Sequence, residues 1–260
     1  MEMKKVKKDW TMSYKQAKID IEKEIEDIVI FDRNTARVLL DCFNSGDWVL
    51  EAGSGTGRFC FWLFKRGINS IGIDVVPEII KLANRYAKAK SLQASFIVGD
   101  VSNLPLRDSS LDGYISLGVI EHFKSKRDVF QSLRECRRIL KPGGKAVITI
   151  PNVFVPLRNK ILQSISKGKI GFFHEFYTLN KVNNLGKIIG FNFKIEVFDM
   201  WLPVYTIIDG ILRRMGLNKG VLRRIKFSFT KLPQHFPFIK YFLGYIYLVV
   251  EKPRLRSSNP

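Results

Sequence analysis

Short apolar runs alternate with amphipathic segments between residues 47 and 150. The apolar runs lie near residues 48–51, 70–74, 95–98, 111–117 and 145–150, and two of the intervening segments, 79–89 and 129–140, have helical periodicity. This alternation predicts an α/β fold, in which a parallel sheet carries helices on both faces. The ligand site of such a sheet lies at the carboxyl ends of its strands.

The segment Trp48–Phe59 contains the most informative pattern. An apolar run ends in Glu51, and glycines follow at alternate positions, Gly53, Gly55 and Gly57, directly before a helical segment. Glycine lets the chain take positive φ and lets a ligand approach the backbone closely. The spacing differs from two phosphate-binding motifs, because Arg58 stands where the dinucleotide fingerprint needs its third glycine and no Gly-Lys-Ser/Thr is present.

The spacing Glu51-x-Gly53-x-Gly55-x-Gly57 resembles the first motif of the class I S-adenosylmethionine-dependent methyltransferases. Further segments match the family in the same order. They are the apolar run ending in Asp74, 17 positions after Gly57, then Ser95–Val101, Leu111–Phe123 and the Leu140–Gly144 turn before a strand at Lys145–Ile150. Together they cover residues 47–150. The resemblance implies a Rossmann-like, seven-stranded, mostly parallel sheet whose last strand, near 245–252, is antiparallel.

The resemblance also implies the cofactor, S-adenosyl-L-methionine, and methyltransferase activity of the general class EC 2.1.1.-. It places Glu51 near the methionine amino group, Asp74 on the ribose hydroxyls and Asp100 on the adenine amino group. The predicted cofactor-binding residues are Glu51, Gly53, Ser54, Gly55, Gly57, Asp74, Val75, Asp100, Val101 and Leu117.

Two histidines are candidates for a general base, because a histidine side chain titrates near neutral pH. His122 follows the predicted fourth strand, where the resemblance puts the methyl group, and His174 lies in the segment expected to build the acceptor pocket. The alternative is that either ring is only a hydrogen-bonded wall of the pocket. No metal site is predicted, since the histidines lack ligand spacing with Cys, Asp or Glu.

We expect a single methyltransferase domain over residues 1–253 and a mobile tail at 254–260. Its predicted parts are N-terminal covering helices at 1–46, a cofactor-binding core at 47–150, an acceptor-pocket segment at 151–192 and a helical insertion before the last strand at 201–244.

Three scattered cysteines, Cys42, Cys60 and Cys136, suggest reduced, buried thiols. The polar, Lys-rich start at 1–8 disfavours a secretory signal, so we expect a cytoplasmic protein, or one peripheral on the inner membrane face.

The formal charge of +19 is concentrated in the C-terminal part. Residues 151–260 hold 18 Lys+Arg against 5 Asp+Glu, and 201–244 hold eight Lys+Arg against Asp209 alone, beside an apolar helical face. This composition suits contact with an anionic membrane surface or a lipid-like acceptor. Packing of the apolar face on the sheet and RNA binding remain alternatives.

The predicted function is methyl transfer to a small-molecule or lipid-linked acceptor. RNA or protein is the alternative acceptor, and a non-catalytic, cofactor-binding scaffold is a second alternative. RNA is less favoured because no appended RNA-binding module is evident. The chain also lacks an Asn/Asp-Pro-Pro-Tyr/Phe motif after the predicted fourth strand, where residues 117–120 read Leu-Gly-Val-Ile. This absence disfavours methylation of adenine or of another exocyclic amine. The oligomeric state is not indicated by the sequence.

If 201–244 contacts membranes, neutralising Arg213, Arg214, Arg223 and Arg224 will lower co-sedimentation with anionic vesicles, and added salt will weaken binding of the wild type. A variant that loses four positive charges from residues 1–150 is the control. Equal binding by the wild type and the 201–244 variant would instead favour a helix packed on the sheet.

Overall fold

A mixed seven-stranded sheet forms the centre of the computed structural model, which describes residues 2–16, 19–123, 125–151, 192–198 and 245–254 and the single residues 184 and 190. The strands are β1 Trp48–Ala52, β2 Asn69–Asp74, β3 Ser95–Val98, β4 Leu111–Leu117, β5 Leu140–Pro151, β6 Asn192–Phe198 and β7 Tyr245–Glu251. Their order is β3-β2-β1-β4-β5-β7-β6. Strands β1–β5 pair in parallel, whereas β7 is antiparallel to both β5 and β6.

The described helices lie before β1 and between strands β1 and β5 of the chain order. They are α1 Glu2–Gln16, α2 Ile21–Phe31, α3 Arg33–Cys42, α4 Arg58–Phe64, α5 Pro77–Ala89 and α6 Lys126–Ile139, with a short 3-10 helix at Ile120–His122. Capping side chains and a proline mark the starts of three of these helices. The Asp20 carboxylate accepts from the Lys23 N–H at the start of α2, Pro77 opens α5, and the Ser125 hydroxyl accepts from the Arg127 N–H at the start of α6.

Successive side chains of each strand point to opposite faces of the sheet, so the strands contribute to two apolar layers. Val49, Ile115 and Val147 face helices α2–α5, while their neighbours Leu50 and Tyr114 face the layer that α6 covers. The predicted α/β class, the Rossmann-like sheet, the helices on both faces and the antiparallel last strand are therefore confirmed. Strand β6 is described by its backbone pairing only.

The start of β5 differs from the prediction. The predicted turn at 140–144 is instead included in the strand, which begins at Leu140. Leu140 pairs with Leu111 and Lys145 with Gly113, so the residues between them bulge out of the ladder. The backbone N–H of Gly143 donates to the Lys252 carbonyl at 2.8 Å, which gives the bulge a partner at the end of β7. The prediction missed this contact because it joins residues far apart in sequence.

Several predictions fall outside the described residues. They concern the insertion at 201–244, most of the acceptor-pocket segment at 151–192, His174 and the tail beyond Arg254. The single-domain division also remains a prediction. Cys42, Cys60 and Cys136 are buried, as expected. Within the described part of the chain, no helix has both the length and the apolar character needed to cross a bilayer.

Candidate active site

The glycine turn after β1 is anchored to the end of β2 by backbone hydrogen bonds. The N–H groups of Gly53 and Ser54 both donate to the Ile73 carbonyl, at 2.7 and 2.9 Å. Gly53 and Gly55 have φ of +75° and +52°, in the left-handed region that favours glycine. A side chain at Gly53 would also collide with Val119, so the turn lies directly against the segment that follows β4.

Asp74, the last residue of β2, joins the turn to helix α5. Its Oδ2 accepts from the Gly55 N–H at 2.9 Å and its Oδ1 accepts from the Val76 N–H at 3.0 Å. The side chain is buried, and this burial raises the pKa of the carboxyl, against the lowering effect of those hydrogen bonds. Each carboxylate oxygen can accept further hydrogen bonds, so Asp74 can hold two donors of a ligand while keeping both backbone contacts.

Glu51 lies beneath the turn and fixes the start of α4. Its Oε2 accepts from the backbone N–H and from the Sγ–H of Cys60, both at 3.1 Å. Complete burial raises the pKa of Glu51 to about 7, although Cys60 and Arg58 act in the opposite direction. The carboxyl group therefore changes charge near neutral pH, at the wall of the cavity described next.

A cavity of about 440 Å³ opens at the carboxyl ends of β1, β2 and β4. It brings together nine of the residues that the sequence predicted. They are Glu51, Gly53, Ser54, Gly55, Asp74, Val75, Val101, Leu117 and His122. The glycine turn and the segment after β4, which are separate in sequence, thus form opposite walls of one space.

Two predicted residues lie outside the lining of this cavity. Gly57 is the N-cap of α4 and takes φ of +77°. A side chain there would collide with Phe96, which indicates a packing role. The Oδ1 of Asp100 accepts from the backbone N–H and the hydroxyl of Ser102, at 2.8 and 2.7 Å, while its neighbours Gly99 and Val101 line the cavity. The cofactor contacts assigned to Gly57 and Asp100 therefore remain predictions.

The sequence did not single out the contribution of the first two helices. Trp10 and Tyr14 of α1 and Glu24 of α2 line the cavity, where the Thr56 hydroxyl donates to the Glu24 Oε2 at 2.5 Å. Covering helices were predicted over the cavity mouth, but their side chains were not assigned. The spacing of Trp10 and Tyr14, two aromatic residues one turn apart in a polar helix, is the signal that could have identified them.

The segment after β4 completes the wall. Gly118 has φ of +71°, and its N–H donates to the Thr149 Oγ1 of β5 at 2.9 Å. The 3-10 helix that follows brings His122 to the cavity, where the His122 and Trp10 rings meet edge-on with centroids 5.1 Å apart. This contact fixes His122 between α1 and the end of β4.

Glu121 is a buried carboxyl group that the sequence reasoning missed. Its side chain is 3% exposed, and within the described part of the chain its Oε2 has no hydrogen-bond partner. Its Oε1 lies 3.5 Å from the position that a Cβ on Gly118 would occupy, so the group sits just behind the cavity wall. Burial raises the pKa of Glu121 to about 7.

The lining is acidic although the chain is strongly basic. Three carboxylates, Glu24, Glu51 and Asp74, face one Lys/Arg side chain among the described lining residues, Arg58, whose Nη1 lies 2.6 Å from the Asp32 Oδ2. The described residues contain no cluster of three or more His, Cys, Asp or Glu side chains able to hold a metal ion. The charge of this cavity therefore favours a ligand that carries positive charge.

Comparison with known proteins gives matches centred on the same residues. Residues 50–148 match the family model described as a methyltransferase domain. Norajmaline N-methyltransferase of Rauvolfia serpentina is 38% identical over 103 residues, which make up 38% of this chain and 34% of that protein. The Homo sapiens protein named "Probable tRNA methyltransferase 9B" is 32% identical over 106 residues, 40% of this chain and 21% of that protein. The match thus spans about a third of the length of the first relative and about a fifth of the length of the second.

Solved structures agree on the fold. A SAM-dependent methyltransferase from Archaeoglobus fulgidus superposes with a TM-score of 0.59 at 19% identity, over 94% of this chain and 99% of that one. At this identity the likeness establishes a shared architecture. The residues that carry out the chemistry must be argued from the cavity itself.

We expect Glu121→Gln to make the free energy of unfolding less dependent on pH. Because the pKa of Glu121 is raised from 4.5 to about 7 in the folded protein, its stabilising contribution is fully present below pH 4.5 and is lost as the pH rises through 7. The wild type should therefore lose up to ~3 kcal/mol relative to Glu121→Gln across that range. Urea denaturation at several pH values measures this, with Glu78→Gln at an exposed site as control. Parallel pH profiles for the wild type and Glu121→Gln would contradict the assignment.

Proposed function

We propose that this chain, which carries a class I S-adenosylmethionine-dependent methyltransferase domain, transfers the cofactor's methyl group to a small-molecule acceptor. S-adenosylmethionine is the cofactor of this domain. The observation that carries the proposal is the single cavity of about 440 Å³, which the glycine turn and the segment after β4 line from opposite sides. One space of this kind can hold a methyl donor beside its acceptor.

The cavity residues fit this cofactor in charge and shape. Asp74 keeps free lone pairs for the two ribose hydroxyls while its oxygens hold the turn and α5 in place. Gly53 and Gly55 give the methionine part access to bare backbone, and Glu51 lies close enough to influence its amino group. S-adenosylmethionine carries one net positive charge through its sulfonium, which matches the acidic lining.

Methyl transfer requires little acid–base chemistry from the protein. The bound cofactor supplies an activated methyl group that is displaced in line, so the chain must hold the acceptor, align it and exclude water. Trp10 and Phe123 can provide an apolar wall for this purpose. His122 is the candidate that would remove a proton from an acceptor hydroxyl or amine, and its edge-on contact with Trp10 would hold the ring in place. His174 keeps the same candidate role on sequence grounds alone.

The size and lining of the cavity support a small acceptor over a macromolecule. Small-molecule sites are concave, mostly apolar and about 300–1,000 Å³ in volume. Trp10, Phe59, Leu117, Val119 and Phe123 supply apolar walls, and α1 contributes one side of the enclosure. Norajmaline N-methyltransferase supports the same class by its name, whereas the relative named for tRNA keeps RNA as the alternative acceptor.

A lipid-linked acceptor is the narrower form of this proposal. Its support is the basic, partly apolar stretch at 201–244, together with the predicted contact of that stretch with an anionic membrane surface. The scaffold alternative is less favoured because Glu51, Asp74 and the glycine turn are all present in the cavity wall.

The proposal predicts transfer of labelled methyl groups to small acceptors. Purified protein would be incubated with methyl-tritiated S-adenosylmethionine and, in separate reactions, a quinol panel, a secondary-amine panel and total tRNA. We expect label in a small-molecule product and a loss of at least tenfold in the Asp74→Ala variant, because two ribose hydrogen bonds are removed.

Two outcomes of this assay would contradict the proposal. Label found in tRNA and in no small-molecule reaction would replace the small acceptor with RNA. Equal labelling by Asp74→Ala and the wild type would show that the cofactor is bound elsewhere. Asp47→Ala, at an exposed loop before β1, is the matched control and should retain wild-type labelling.

A further inference from the structure

Helix α1 brings one polar side-chain group directly to the glycine turn. Tyr14 lines the cavity, and its hydroxyl oxygen lies 2.8 Å from the position that a Cβ on Gly55 would occupy. Trp10, one turn earlier on the same face, also lines the cavity and packs against the Tyr14 ring with centroids 5.7 Å apart. The hydroxyl is therefore held against the same backbone that a ligand in the cavity would approach.

Among the residues that the structure describes, none accepts a hydrogen bond from the Tyr14 hydroxyl. Burial and the nearby carboxylates of Asp74, Glu24 and Glu51 raise the pKa of Tyr14, so the group stays protonated at neutral pH. No hydrogen bond joins it to another residue in the described part of the chain. Tyr14 is half-buried and lines the cavity, so this donor is available to a ligand that enters it.

The charges of the cavity wall indicate which ligand group receives this bond. S-adenosylmethionine carries one anionic group, the carboxylate of its methionine part. Glu24, Glu51 and Asp74 repel that group, and Arg58, the one Lys/Arg among the described lining residues, is already paired with Asp32. The cofactor carboxylate therefore needs a neutral donor close to the glycine turn.

Resting on the proposed function, we propose that the Tyr14 hydroxyl donates a hydrogen bond to the methionine carboxylate of the cofactor, which makes α1 part of the cofactor site. A hydroxyl that donates to a carboxylate forms a charge-assisted bond, about twice as strong as a neutral one. Tyr14 would then distinguish ligands that carry the amino-acid part from ligands that lack it. The aromatic face of α1 thereby serves cofactor recognition as well as covering the cavity.

Calorimetric titration with two ligands tests this assignment. S-adenosylhomocysteine contains the amino-acid part, whereas 5′-methylthioadenosine keeps the adenosine and lacks that part. We expect Tyr14→Phe to weaken S-adenosylhomocysteine binding at least tenfold and to leave 5′-methylthioadenosine binding within twofold of the wild type. Tyr86→Phe, on α5 and outside the lining of the cavity, should bind both ligands as the wild type does.

Each contrary result has a distinct meaning. Unchanged S-adenosylhomocysteine affinity in Tyr14→Phe overturns the proposal, and so does an equal loss for both ligands, which would put the hydroxyl on the ribose or adenine. Failure of the wild type to bind S-adenosylhomocysteine would instead overturn the proposed function. That result is recognised before any variant is measured.

A second measurement changes the ligand, and its first comparison uses the wild type alone. Decarboxylated S-adenosylhomocysteine should bind the wild type at least tenfold more weakly than the parent compound, and Tyr14→Phe should bind the two compounds more equally than the wild type does. Equal affinity of the wild type for the two compounds would contradict the proposed bond. Thermal unfolding of each protein without ligand shows whether Tyr14→Phe keeps the wild-type fold.

Discussion

The attachment of the glycine turn to the end of β2 is the constraint on which the site depends. Three consecutive N–H groups, those of Gly53, Ser54 and Gly55, bond to the Ile73 carbonyl and the Asp74 carboxylate. These bonds hold the turn in its left-handed conformation directly before the start of α4. Because Asp74 also bonds Val76, the residue directly before α5, one buried carboxylate links the ligand-facing backbone to the starts of two helices. A shift of β2 would therefore displace the whole cofactor wall.

The carboxyl groups in and behind the cavity wall suit ligand binding but lower the stability of the folded protein. Glu51 and Glu121 each have a pKa near 7 because burial disfavours their charged forms, and Asp74 is raised in the same direction. An apolar side chain at any of these positions would avoid the cost of burying a carboxyl group. The protein keeps them at or directly behind the wall of an acidic cavity within a chain of net charge +19. That contrast is expected where a cationic cofactor must be held at a basic protein's surface.

The sequence allowed the fold and half of the site to be predicted, because strand periodicity and glycine spacing are local properties. The glycine turn and Asp74 were found this way, since each lies at the end of an apolar run where a parallel sheet collects its ligand residues. Tyr14 and Glu24 could not be assigned, because their place in the cavity depends on how α1 and α2 pack over residues more than 25 positions away. Glu121 was overlooked for a related reason, since only the folded chain reveals that its carboxyl group is buried and that its Oε2 has no hydrogen-bond partner among the described residues.

Calorimetric titration of the purified protein with S-adenosylmethionine, with NADH as the control ligand, is the most direct test of the central claim. The account predicts micromolar binding of S-adenosylmethionine and no measurable binding of NADH, because the turn lacks the third glycine of the dinucleotide fingerprint and the cavity wall is acidic. Binding of NADH, or no binding of either ligand, would contradict the assignment of this cavity to a methyl donor.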